Sequence, residues 1–339
     1  MSIFSKCKNF VSEHKNKFIA AAFVTGSVFL TKYAHKRLRD WQENQAIEFL
    51  ERNRKQNHFE SITRTCNQTI LNLSSSLLDK IYENVDTDIL IQKLKSNPED
   101  KLRLWQTLRN KVFTETFCIC YGLVVLVVTL KIQLNIMGGY LYKSPEHIPE
   151  DVQQKYLSLC QYFLNTGMNS IIKSMEVAVT ASLEDISFTK PVTLGDIESI
   201  FWTIHYNLGK QEGSLDPTKH LKTLILGHDS RELKNDTYGN LIKMTEDLLE
   251  CDEVVSFARQ LVNESFVLLG NEMTKFFETN DPKEGFQNPW KIQKPFVKLL
   301  PILNSLLARQ CFPTKLIDFL IHEEQIQSLC ANIYECLLE

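Results

Sequence analysis

Residues 117–130 read FCICYGLVVLVVTL, a fourteen-residue run that is apolar around the whole circumference of a helix and carries no charge. A helix without a polar face either spans a membrane or lies surrounded by protein. This run is shorter than the roughly 20 residues that a span requires. It ends at Lys131, and the same helix continues into the polar residues Gln133 and Asn135. A span here would also divide the soluble part into two halves, each short of a core. We therefore expect a buried central helix.

Helix signals extend this segment in both directions. Asn97 is a good N-cap, Pro98 suits the first helical position, and the acidic pair at 99–100 favours the positive end of the helix dipole. The pattern continues past Leu130 toward the glycine pair at 138–139. The predicted helix is on the order of 50 Å long at about 1.5 Å per residue.

The rest of the chain beyond residue 40 has the periodicity of helices, and alternating strand patterns are scarce. Gly and Pro total 22 of 339 residues and cluster between the periodic segments. The predicted breaks are residues 96–100, 143–151, 187–192, 212–217, 226–240 and 280–289. About eight helices lie between them, and no internal repeat is evident. The sequence predicts an all-α fold, a single large helical bundle around a long central helix.

A second uncharged run, residues 18–31, lies between Lys17 and Lys32. A helix of this length covers roughly 21 Å, or roughly 25 Å if it extends to Ala34, against a hydrocarbon core of about 30 Å. Its apolar side chains favour membrane insertion by roughly 2 to 4 kcal/mol. These side chains are Phe18, Ile19, Phe23, Val24, Val28, Phe29 and Leu30. We expect a short basic tail at 1–17, a transmembrane anchor at 18–34 and one helical cytosolic domain at 35–339.

Two alternatives to the anchor remain open. A cleaved signal peptide also has a basic start and a short apolar core, but it lacks a basic cluster such as Lys32, Lys36, Arg37 and Arg39 directly afterwards. A soluble amphipathic helix would show a polar face, and this run offers only Thr, Ser and Gly. Both flanks are basic, with net charges of +3 and +4, so charge does not fix the orientation.

The charge distribution limits the classes of partner. Residues 1–40 carry a net charge of +6, which suits an anionic membrane surface, and residues 41–339 carry −9. The acidic remainder lacks a basic stripe, which argues against nucleic acid binding. Phosphate-binding loops, HExxH, GxSxG and metal-ligand spacings are missing, so we expect no enzyme, no cofactor or metal and no small-molecule substrate. Nine scattered cysteines without a CxxC favour reduced thiols in the cytosol.

One surface feature stands out at the break at 96–100. Trp105 lies in the first turns of the central helix, Lys101 lies one turn before it, and Leu102 and Leu108 flank it at helical spacing. Periodicity alone favours a core position for these residues. However, two helices that meet at a short turn leave a cleft, and a Trp bordered by basic residues is typical of a binding hot spot. Such a cleft would accept an amphipathic partner helix with acidic residues.

Several short stretches, in this order, resemble the peroxin-3 family over nearly the whole length. They are the basic lead at 14–17 with the anchor after it, RKQNHFESITRTCN (54–67), DKLRLW (100–105), IQLNIMGGYLY (132–142), DVQQKYLS (151–158), KLLPILN (298–304) and ANIYE (331–335). The middle, residues 186–240, departs most from the family pattern, so a partner site there is not expected on this basis.

The resemblance implies a single-pass protein of the peroxisomal membrane with its helical domain in the cytosol. That domain would dock a cargo-carrying import receptor of the peroxin-19 type, which inserts a helix into a groove at one end of the bundle. The family's docking Trp corresponds to Trp105, and its neighbouring basic contact corresponds to Lys101. Leu94 and Lys95 correspond to a Leu-Lys pair on the preceding helix, and the two leucines that flank Trp105 line the same groove.

Three hypotheses follow. The first is a membrane-anchored docking receptor that promotes insertion of peroxisomal membrane proteins. The second is a lipid-handling helical protein whose apolar central helix lines a ligand cavity, which requires a sizeable pocket with convergent polar groups. The third is a secreted helical protein, which would lose its first 31 residues or so.

Overall fold

The computed structural model describes residues 15–96, 99–143, 148–210, 214–227, 236–277 and 288–338, and of residues 15–30 it describes the backbone only. Helices account for nearly all of it. They are α1 (Lys15–Val85), α2 (Thr87–Lys95), α3 (Lys101–Lys143), α4 (Glu150–Leu157), α5 (Leu159–Tyr162), a π-helical turn (Phe163–Gly167), α6 (Met168–Leu183), α7 (Leu194–Asn207), α8 (Leu221–Leu226), α9 (Thr237–Glu250), α10 (Asp252–Thr274), α11 (Leu299–Leu306), α12 (Phe312–His322) and α13 (Glu324–Leu338). The all-α prediction is confirmed.

The central helix is α3, and it packs most extensively against α13 and α6, with further contacts to α2, α9, α10 and α12. It is the one described helix that is long and apolar enough to cross a membrane, and 94% of its apolar window is buried inside the protein. Every residue from Val112 to Gln133 is buried. The prediction of a buried central helix is therefore confirmed.

The buried part of α3 extends beyond the apolar run 117–130 and includes the polar residues Lys131 and Gln133. Lys131 is 1% exposed, and its ammonium group donates a 2.8 Å hydrogen bond to Asn67 Oδ1 on α1. Gln133 is fully buried and accepts a 2.8 Å hydrogen bond from the Cys160 thiol. These partners come from other helices, so polar groups can remain in the core without exposure to water.

The ends of α3 differ from the prediction. The helix begins at Lys101, and the predicted capping residues Asn97 and Pro98 lie outside the described residues. At the other end it continues to Lys143 instead of stopping at the glycine pair at 138–139. These glycines allow close packing, because a Cβ at Gly139 would lie 2.7 Å from Leu337 Cδ1 on α13. They therefore serve helix packing and not helix termination.

Short connections set the positions of two helices that matter below. Asp86 separates α1 from α2 in the left-handed conformation, with φ of 50°, and its side chain accepts a hydrogen bond from the Ile89 amide. β1 (Pro191–Val192), which directly precedes α7, pairs antiparallel with β2 (Lys294–Pro295) from much later in the chain. A capping box between Thr193 and Asp196 then starts α7.

The chain divides into two compact units, Met1–Glu60 and Ser61–Glu339, and α1 contributes to both. In the first unit the backbone is helical from Lys15. The backbone of the predicted anchor is helical, but its side chains are not described; these belong to Phe18, Phe23, Val24, Val28, Phe29 and Leu30. The predicted limits at 1–17, 18–34 and 35–339 stay a prediction.

Candidate docking groove

A cleft of about 420 Å³ opens between α2, the first turns of α3 and α11. We call it the Trp105 groove. Its lining is mostly apolar and comes from all three helices. The lining residues are Ile91, Leu94, Lys95, Trp105, Leu108, Val112, Leu300, Pro301, Asn304 and Ser305.

The floor of the groove comes from α3. Trp105, Leu108 and Val112 follow one another at spacings of three and four residues and so lie on one face of the helix. Val112 is fully buried and Leu108 is 4% exposed, whereas Trp105 is half-buried. The face therefore passes from the core into the groove, and the indole ring lies where the core meets solvent.

The first wall is α2, which supplies the half-buried Leu94 and the exposed Lys95. Two hydrogen bonds hold the start of this helix against α3. Thr87 Oγ1 donates to Glu115 Oε2 at 3.1 Å, and Lys111 Nζ donates to the Val85 carbonyl at 2.5 Å. These bonds fix the start of α2 beside the floor of the groove.

Glu115 is the unusual residue among these, because it is an acidic residue that is only 4% exposed. Burial raises its pKa to about 7, and the nearby Asp88 carboxylate adds to the increase. The hydrogen bond from Thr87 and the charge of Lys111 act in the opposite direction and are outweighed. The carboxyl behind the groove thus changes its charge near neutral pH.

The second wall is α11, which sequence reasoning did not place in the groove. Leu300 is buried, Asn304 is half-buried, and Pro301 and Ser305 are exposed. The sequence does contain a signal, because residues 299–303 read LLPIL, and a proline in such an apolar stretch is unusual inside a helix. Periodicity could not have shown that this segment faces residues about 200 positions earlier.

The rim carries a net positive charge. Lys93, Lys95, Lys101 and Arg103 are exposed around the junction of α2 and α3, and the exposed carboxylates of Glu99 and Asp100 lie at the same junction. Of the predicted site residues, the structure brings Leu94, Lys95, Trp105 and Leu108 together in the groove. Lys101 and Leu102 lie in the first turn of α3 and do not line it, and Leu102 is 66% exposed.

The groove has the chemistry of a binding surface. Its lining contains one ionisable side chain, Lys95, and no nucleophile paired with a base. Among the described residues, no group of three or more His, Cys, Asp or Glu side chains could hold a metal ion. What the groove offers is an apolar floor, a partly exposed indole and basic charge.

A sequence model of the peroxin-3 family matches residues 9–102 and 141–334, which is most of the chain. The chain belongs to the peroxin-3 family. Peroxisomal biogenesis factor 3 of Rattus norvegicus is 30% identical over 357 residues, and that of Homo sapiens is 30% identical over 361 residues. Each alignment covers 96% of this chain and 96% of the relative. Peroxisome biogenesis protein 3-2 of Arabidopsis thaliana is 26% identical over 306 residues, which are 80% of this chain and 78% of the relative.

The resemblance inferred from short stretches is thus confirmed, and it assigns this chain a role in peroxisome biogenesis. The relatives are named as biogenesis factors and not as enzymes, which agrees with the expectation of a non-enzyme. The family match omits residues 103–140, so Trp105 and Leu108 lie outside it. Their assignment to a docking site depends on the groove itself.

Proposed function

We propose that this chain is a docking receptor for a peroxin-19 type import receptor, which would place an amphipathic helix in the Trp105 groove. Cargo-loaded receptors would thereby be captured at the organelle surface, where newly made membrane proteins are inserted. The observation that carries the proposal is the half-buried Trp105 on the apolar floor of a cleft with helical walls.

The shape of the groove suits a helix. An amphipathic helix presents apolar side chains at positions i, i+3, i+4 and i+7, and such a row needs an apolar trough with parallel walls. The walls α2 and α11 supply Leu94 and Leu300 on either side of Trp105. A partly exposed Trp at the centre of such a trough becomes desolvated on binding, which is typical of a hot spot.

Charge supports the same partner. The exposed basic rim belongs to a stretch, residues 41–339, whose net charge is −9, so the positive rim is a local feature. Acidic side chains beside the apolar face of the partner helix would be attracted to it, mainly through the rate of association. Lys101, although outside the cavity, contributes at this rim.

The proposal includes a location. Residues 18–34 would anchor the chain as a single span in the peroxisomal membrane, with the bulk of the protein in the cytosol, where the receptor circulates. Membrane lipid is then the second partner. A receptor tethered in this way concentrates its ligand at the membrane without any catalytic group.

The test is a binding titration of the full chain in detergent micelles with a peroxin-19 type receptor. Trp105→Ala should weaken binding by at least about 2 kcal/mol, roughly thirtyfold, because the indole fills the floor. The matched control is Trp202→Ala, which removes an exposed indole from α7, outside the groove. Binding that is equally strong in wild type and Trp105→Ala would refute the proposal.

The lipid-handling alternative draws no support from the central helix. That hypothesis placed a ligand cavity along residues 117–130, and each of these residues is buried, with side chains of surrounding helices packed against it. Aromatic contacts such as Phe117 with Phe266, with ring centroids 4.6 Å apart, fill this region. We therefore retain docking as the proposed function.

A further inference from the structure

A second cavity, distinct from the Trp105 groove, lies between α7, α10 and the 3₁₀ turn Pro289–Lys291, and it has a volume of about 130 Å³. Its floor is apolar, with Phe201 6% exposed and Met273 fully buried. Two indoles, Trp202 on α7 and Trp290 on the turn, line it while 54% and 48% exposed. We call it the two-Trp cavity.

The polar groups of the two-Trp cavity are few. Glu198, Trp202 and His205 are spaced by four and three residues on one face of α7, and Asn263 and Asn271 come from α10. Glu198 is exposed and is the one carboxylate in the lining. The cavity therefore combines aromatic faces with a single negative charge.

His205 contributes its imidazole ring to the lining of the cavity. Its side chain is hydrogen-bonded to the Tyr121 hydroxyl at 3.1 Å, and its ring lies 5.8 Å from that of Trp202. Burial lowers its pKa, and Arg259 lowers it further, while Asp216 acts in the opposite direction. The lowered pKa favours the neutral imidazole, and the ring adds an aromatic surface to the cavity.

Gly270 helps to leave the space empty. It lines the two-Trp cavity from within α10, and a Cβ built on it would have no atom within 4 Å. Glycine is disfavoured in a helix interior, and here no close packing requires it. A side chain at this position would extend into free space that the cavity now provides.

We propose that the two-Trp cavity binds a quaternary ammonium group, as found in choline. Such a cation is attracted to the faces of aromatic rings, best to Trp, and Glu198 adds charge complementarity. It has no N–H to satisfy, so a lining with few hydrogen-bond acceptors suits it better than a primary ammonium, which would lose strong hydration. The volume is similar to the roughly 150 Å³ of a cavity that accepts a benzene ring, which is about the size required.

Three basic residues lie near the cavity without lining it. Lys291 is exposed directly after Trp290 on the 3₁₀ turn. Lys210, three residues after the end of α7, lies over the Tyr206 ring at 2.8 Å from its centroid. Arg259 lies on α10, on the side of His205 and Tyr121, with Asp216 nearby as a counter-charge.

The test uses the full chain in a maltoside detergent, so that no detergent headgroup competes. Choline and tetramethylammonium are titrated, with binding followed by ligand-observed NMR. The matched ligand is 3,3-dimethylbutan-1-ol, the uncharged carbon analogue of choline. We expect saturable choline binding, about tenfold weaker in Trp202→Ala and several-fold weaker in Glu198→Gln. Trp105→Ala should bind choline like wild type, which separates this test from that of the docking groove.

Two results would overturn the proposal. One is equal binding of the uncharged analogue, which would make the cavity a plain apolar pocket. The other is the absence of saturable choline binding in wild type. The source of the group is distinguished with water-soluble dibutyroyl lipids. If dibutyroyl phosphatidylcholine displaces bound choline and dibutyroyl phosphatidylglycerol does not, the ligand is a lipid headgroup. If neither lipid displaces choline, the ligand is a free soluble molecule.

Discussion

Single residues at the junction of α2 and α3 determine which side chains the Trp105 groove exposes to solvent. Trp105 could be found from the sequence, because an indole among basic residues beside a helix break is unusual. Which of the residues around Trp105 are buried and which are exposed could not be predicted from the sequence. Leu102 and Leu108 are equally spaced from Trp105, yet one is 66% exposed and the other 4% exposed. Helical spacing gives the face, but the depth along the helix at which the core begins depends on the neighbours.

Glu115 leads to a prediction about pH. Its pKa in the folded chain is about 7, above the ordinary value of 4.5, so between these values the folded chain binds more protons than the unfolded chain. The contribution of Glu115 to the free energy of unfolding should therefore decrease as pH rises from about 4.5 to about 7 and stay low above that. Glu115→Gln, which can still accept from Thr87, should remove this dependence and stabilise the protein at pH 8 by on the order of 2 kcal/mol.

Denaturant unfolding of the full chain in detergent at pH 5, 6, 7 and 8 measures this effect. The exposed Glu184→Gln serves as the control and should unfold like wild type. If the wild-type and Glu115→Gln curves keep the same separation at every pH, the carboxyl does not titrate in this window and the account of its burial is wrong.

At the scale of elements, the breaks that contain Gly or Pro could be predicted, and the others could not. The breaks near residues 96–100, 143–151 and 187–192 all separate helices in the structure. Cys251 and Glu323 also end helices, and neither neighbourhood carries a turn signal. Asp86 separates α1 from α2 because it adopts the left-handed conformation. Asp tolerates this conformation, but its presence in a sequence does not predict it. More helices result than the eight or so expected.

The π-helical turn Phe163–Gly167 gives a prediction at this scale. A Cβ at Gly167 would collide with the backbone carbonyl of Leu224 and would lie 2.8 Å from Phe163 Cδ2. Backbone cannot move aside as a side chain tip can, so Gly167→Ala should destabilise the chain by about 2 kcal/mol or more. Gly270→Ala is the matched control, and it should be stabilised by up to about 1 kcal/mol, because its Cβ meets open space.

This prediction is tested by measuring the thermal unfolding midpoints of the two glycine variants and of the wild type. The expected result is a lower midpoint for Gly167→Ala and an equal or higher one for Gly270→Ala. Similar midpoints for both would mean that α8 does not pack as closely on the turn as the structure indicates.

At the scale of the whole molecule, the fold class and the buried central helix could be read from apolar length and the scarcity of Gly and Pro. The burial of polar residues such as Lys131 and Gln133 in the core could not be predicted. The uncharged run ends at Lys131, yet this lysine is buried, although an unpaired charge in a core is costly. Its partner Asn67 lies 64 residues earlier, and no local pattern pairs them. The second wall of the groove could not be predicted for the same reason, because α11 comes into contact with α3 only through the tertiary fold.

The proposed anchor at residues 18–34 gives a prediction that concerns the placement of the whole chain. Its favourable insertion free energy, roughly 2 to 4 kcal/mol, is small enough for one charge to cancel it. Val24→Asp costs about 3 kcal/mol at the centre of a span, so the full-length variant should become extractable from membranes by alkaline carbonate. Val24→Leu should remain in the membrane fraction. Retention of Val24→Asp would show that residues 18–34 are not what anchors the chain.

The central claim is that the Trp105 groove receives the partner helix, and indole NMR observes that event directly. The chain has four tryptophans, so ¹⁵N-labelled indoles give four resolvable N–H signals, which single Trp→Phe variants assign. Upon addition of a peroxin-19 type receptor, the Trp105 signal should shift or broaden while those of Trp202 and Trp290 stay in place. A receptor that binds and leaves the Trp105 signal unchanged would contradict the account.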